Sequence, residues 1–127
     1  MQQKHLYEYA VVRVVPVVER EEFVNAGVIL FCKKEKFIRM QYHLREDKIL
    51  MLMPDADMQE IRENLEAFCK IAAGDQQGGP IAVLDEAERF RWLTAVRSAS
   101  IQTSRPHPGV CDDLEETLHT LFTEMVR

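Results

Sequence analysis

Arg13 stands between Val12 and Val14 in an apolar segment, where a guanidinium must find a partner. Burying it unpaired would cost several kcal/mol, so a carboxylate or a bound anion is expected to face it. Glu19, Glu21 and Glu22 in the next loop are the nearest acids. An ion pair with one of them is the first expectation and a ligand-facing arginine the second. Arg97 lies where a helical pattern gives way to Ser98, Ser100, Gln102 and Ser104, which share one face if the segment is extended. That face is either wet or lined for a polar ligand. His107 follows, in a His107-Pro108-Gly109 sequence that reads as a turn. Two arginines can clamp an anion and an imidazole can shuttle a proton near neutral pH. The chemistry on offer is therefore handling of a phosphate- or carboxylate-containing substrate through an Arg/His cluster.

Other chemistry has less behind it. Cys111 precedes a helix start, where backbone N–H groups can favour a thiolate, but a cysteine there is more simply a small packed side chain. The three cysteines, Cys32, Cys69 and Cys111, have no zinc spacing and are expected as free thiols in a reducing compartment. His5, His43 and His119 lack ligand spacing, so no metal and no cofactor is expected. The phosphate loop, the Gly-x-Ser-x-Gly elbow and the His-Glu-x-x-His zinc helix are all absent.

The elements that must position these residues follow from periodicity. Residues 6–15, rich in β-branched and aromatic side chains, predict a strand that stops at Pro16. A charged loop leads to a strand over Phe23–Cys32, apolar on both faces and so central in a sheet. Asn25 and Gly27 are poor strand formers, and Gly27 predicts a bulge or a close approach by another backbone or a ligand. A turn of about four residues, Lys33–Lys36, joins a third strand over Phe37–Tyr42, buried on one face. Residues 48–53 fit a short strand or a buried extended segment. Asp57 caps a helix with its stripe at Met58, Ile61, Leu65, Phe68, Cys69 and Ala72, closed by Gly74.

The stretch from Gly74 to Pro80 is the one candidate linker and is too short to separate domains. A second helix over about Asp85–Val96 places Ala87, Phe90 and Leu93 on one side and, with Arg89, Arg91 and Trp92, reads as a packed helix with a charged outer face. A strand over 98–104 and a helix from Asp112 or Asp113 complete the chain. The order β-β-β-α-α-β-α predicts one α+β domain, with a mainly antiparallel sheet of about four strands packed with three helices.

A chain of 127 residues suits one domain whose core needs no disulfide or metal. The net charge of −5 argues against nucleic acid as a partner. Residues 1–53 carry nine basic and seven acidic side chains, and the remainder seven and fourteen, so the acid gathers on the expected helices. No apolar run spans a membrane and the polar N-terminus has no leader pattern, so a cytoplasmic location is expected. An exposed edge strand would permit a homodimer.

Two blocks carry a family resemblance. One is Tyr9–Pro16 followed by Glu22–Leu30; the other is Glu88–Leu93, then Arg97-Ser98, Gln102 and His107-Pro108-Gly109. Together they resemble a bacterial family of short proteins of unknown function, which often has proline where this chain has Val96. The matched polar residues are Arg13, Glu22, Asn25, Arg91, Arg97, Gln102 and His107, which would form one functional cluster if they met on one face of the sheet. The resemblance implies a protein partner, a kinase of the toxin serine/threonine type. A non-catalytic accessory module is therefore the leading expectation, with a small enzyme or ligand-binding protein as the alternative.

Overall fold

The computed structural model describes residues 4–95 and 99–127. Its centre is an antiparallel sheet of β1 (His5–Val14), β2 (Val24–Cys32), β3 (Phe37–Tyr42), β4 (Ile101–Thr103) and β5 (His107–Cys111). The spatial order is β3-β2-β1, with β4 and β5 lying end to end along the free side of β1. The helices are α1 (Glu46–Leu52), α2 (Met58–Ala73), α3 (Glu86–Leu93) and α4 (Leu114–Met125). The fold is α+β.

Alternation along β1 and β2 explains the layering. Val12, Val14, Val24, Ala26, Ile29 and Phe31 point to the face covered by α1, α2 and α3. Val28, Leu30 and Cys32 point to the other, where Leu114, Leu118 and Phe122 of α4 meet them. The two-sided apolar run of β2 is thus buried from both sides, each fully buried Leu or Ile being worth roughly 1.5–3 kcal/mol. Asp57, Asp85 and Asp113 cap α2, α3 and α4, each accepting from the backbone N–H of a glutamate three residues on, at 2.8–3.1 Å.

Gly27 has both features its residue type suggested. The β1–β2 register shifts beside it, leaving Ala26 as the extra residue, and Gly27 lies opposite Tyr42 of β3. A Cβ on Gly27 would sit 2.8 Å from the Gln41 carbonyl oxygen and from the Tyr42 Cβ.

Two segments differ from expectation. Residues 48–52 belong to α1, a helix begun by Glu46 and Asp47 and capped by Met53, and not to an extended segment. Ile49 alone is fully buried there while Met51 is 84% exposed, a pattern one helical face explains and a buried strand does not. The Glu46 carboxylate accepts from Arg62 at 2.7 Å and ties α1 to α2. His107-Pro108-Gly109 is strand, with His107, Pro108 and Gly109 opposite Tyr9, Glu8 and Tyr7. Pairing to β1 overrides the turn signal, and Tyr7 lies over the bare Cα of Gly109. Proline fits an edge strand when its missing N–H faces outward, so this edge is poorly suited to take a further strand.

Candidate binding site

Register brings three of the singled-out residues into one row. Arg13 of β1 is the direct partner of Asn25 on β2 and of Gln102 on β4. Direct partners share a face, and here it is the α4 face, because the neighbouring Val14, Val24 and Ile101 fill the core on the other side. α4 packs on β2 and β3 and reaches the row only at its end, where the Asn25 amide donates to the Met125 carbonyl at 3.0 Å. Among the described residues α4 does not pack across β1 and β4 as it does across β2 and β3, although Val11, on this face of β1, is buried.

Arg13 has no carboxylate partner among the described residues. Glu22 forms an ion pair with Arg20 at 2.7 Å, and neither Glu19 nor Glu21 takes Arg13. The expected structural ion pair is absent. The guanidinium instead lies 4.2 Å from the centroid of the Phe23 ring, and that ring is 46% exposed. The buried Nε of Arg13 and the buried Oδ1 of Asn25 have no hydrogen-bond partner among the described residues. Stacking uses a face of the guanidinium and leaves its edge, the part that grips a carboxylate in two parallel hydrogen bonds. Phe23 was missed as a functional residue because nothing in the sequence says that a loop aromatic will underlie a strand arginine.

The other candidates separate. His107 sits beside Tyr9, with ring centroids 5.2 Å apart, on the same face as Arg13. Tyr9 and Arg13 are four residues apart along β1, which places His107 about 13 Å from the Arg13 row. Arg91 is on α3, on the opposite face of the sheet. Arg97 lies outside the described residues. The expected polar strand face reduces to Gln102, whose amide donates to the Ala99 carbonyl at 2.9 Å. Ser104 is buried and its hydroxyl accepts from the Val11 N–H at 2.9 Å, inside the sheet; Ser98 lies outside the described residues. The Arg13 row offers recognition of a carboxylate, and it contains no group that exchanges protons near neutral pH.

A model of the family of proteins of unknown function called DUF3037 matches residues 9–126. The chain belongs to the DUF3037 family. No curated protein and no solved structure matches it. The match covers both blocks and all of Arg13, Glu22, Asn25, Arg91, Arg97, Gln102 and His107 in this DUF3037 chain.

Elsewhere, no group of three His, Cys, Asp or Glu among the described residues is placed to hold a metal ion. No helix among them is long and apolar enough to cross a membrane. Burial raises the Tyr7 phenol, helped by Cys111 and Tyr9, so it stays a neutral donor at physiological pH. Cys32 is fully buried, and burial followed by the Glu66 charge raises the Cys69 thiol. Iodoacetamide at pH 8 is therefore expected to spare Cys32 in the folded protein and to modify Cys69 more slowly than free cysteine. Peptide mapping showing rapid alkylation at both would contradict this burial.

Proposed function

We propose that this chain is a non-catalytic binding module that receives a partner protein on the β1–β4 part of its α4 face, with a partner carboxylate on Arg13. One observation carries the reading: Arg13 stacks on an exposed aromatic and has no carboxylate partner among the described residues. Arginine and aromatic residues dominate interface hot spots because their large, preorganised surfaces lose little entropy on docking. Tyr7, Tyr9 and His107 extend the same face with further aromatic surface. The separation of His107 from Arg13 favours binding over the Arg/His enzyme alternative.

A native pull-down from the host cytoplasm, read by mass spectrometry, tests this. Wild type is compared with Arg13→Ala and Arg13→Lys, each first shown to be folded. One stoichiometric partner is expected, and the kinase implied by the family resemblance is the first candidate. Arg13→Ala should weaken it by roughly 2 kcal/mol, about thirtyfold in affinity. Lysine, lacking the planar fork and its stacking, should restore only part. Equal capture by Arg13→Ala, or no partner beside a retained small anion in wild type, would overturn the module.

A further inference from the structure

We propose that the cleft between α3 and the first half of β1 is a second binding site, for a small amphipathic carboxylate. It lies on the α1–α3 face, across the sheet from Arg13, and has a volume of about 460 Å³. Clefts of roughly 300–1,000 Å³ suit small organic ligands. Phe31 and Phe90, stacked with centroids 4.9 Å apart, lie at its base. Leu6, 71% exposed, forms a lip, and its cross-strand partner Val110, 59% exposed, stands beside it just outside the lining. The charges on this apolar frame are Lys33, Arg91 and Glu8.

Neither cation joins an ion pair among the described residues, and neither does Glu8. Two cations against one acid leave the site net positive, so the complementary ligand carries a negative head. The exposed leucine and the aromatic base call for an apolar body on that head, since burying such surface gives roughly 25 cal/mol per Å². A purely polar anion would leave the apolar surface wet, and a neutral hydrocarbon would leave both cations unpaired. Arg91, set apart from Arg13 by the sheet, thereby gains a role of its own.

Octanoate is the probe, titrated into the full chain and followed by amide chemical shifts. Octan-1-ol tests the body without the charge, and acetate the charge without the body. Saturable shifts are expected at Leu6, Ala87 and Val110, with octan-1-ol binding about tenfold more weakly and acetate not at all. The exposed double variant Lys33→Gln/Arg91→Gln should bring octanoate to the level of octan-1-ol. Glu8→Gln should tighten octanoate about threefold by removing a like charge. No saturation, equal binding of acid and alcohol, weaker binding by Glu8→Gln, or shifts centred on the Arg13 row would each overturn the site. Because Arg13→Ala is expected to bind octanoate as wild type does, failure here and failure of the partner interface are separable.

Discussion

Replacing Arg89 with alanine is expected to lower the unfolding free energy by about 3 kcal/mol, the range seen when one partner of a buried charged contact is removed. Its side chain is 8% exposed. One terminal nitrogen donates to the Ile71 and Ala72 carbonyls at 3.2 Å each, and the other pairs with Glu86 at 3.2 Å. Those carbonyls belong to the last turn of α2, where the helix dipole is negative and Ile71 has the capping Gly74 N–H, at 3.1 Å, as its backbone donor. The guanidinium therefore closes α2 and fastens α3 to it. Gly74, at φ 72°, makes room, since a Cβ there would lie 2.5 Å from the Arg89 Nη1. Urea denaturation of Arg89→Ala, Arg89→Lys and Arg89→Met separates the contributions. Methionine keeps the stem but removes the donor to Ala72, the second donor to Ile71 and the pairing to Glu86, so it should lose most of what alanine loses. A loss below about 1 kcal/mol in the alanine variant would mean that the α2 end is satisfied another way.

Gly27→Ala should cost about 2–3 kcal/mol, at the upper end for one inserted carbon, and Gly27→Val more. The conflict is with backbone: the Cβ would stand 2.8 Å from the Gln41 carbonyl oxygen, so β2 and β3 must part or tilt. Gly79→Ala is the control. Its φ of 85° and ψ of −165° lie in a region almost confined to glycine but nothing is within 4 Å of a Cβ, so it carries backbone strain alone, roughly 1–3 kcal/mol. If Gly27→Ala costs less than about 1 kcal/mol in denaturant unfolding, the β2–β3 approach is not what requires glycine at position 27.

These two positions show how unevenly the structure could be read from residues. Gly27 was legible, because a glycine in a β-branched run has few explanations. Arg89 was not. Placed with Arg91 on an outer face by its charge, it lies with Phe90 and Leu93 on the buried side of α3. Charge pointed outward, but the carbonyl end of α2 needed a donor at that place. Residues 48–53 misled for a related reason. An apolar run without its acidic first turn has no period, and Glu46 and Asp47 supply the helix start. The ion pair expected for Arg13 failed because nearness in sequence says nothing about which way a loop carboxylate turns, and Glu22 turned to Arg20.

What the sequence determined by itself is local and periodic. The strand runs of β1, β2 and β3, the Asp-capped starts of α2, α3 and α4, and the α+β class all rest on spacing within a few residues. Membership of a family of unknown function belongs here too, since the matching blocks are ordered along the chain. Tertiary structure alone decided that β4 and β5 share one side of β1, that Pro108 sits within a ladder, and that Arg13 meets Asn25 and Gln102 but not His107 or Arg91. The reason is register. Which residues stand side by side depends on pairings between segments up to a hundred positions apart, and one shifted residue, such as Ala26 at the bulge, moves every side chain beyond it to the other face.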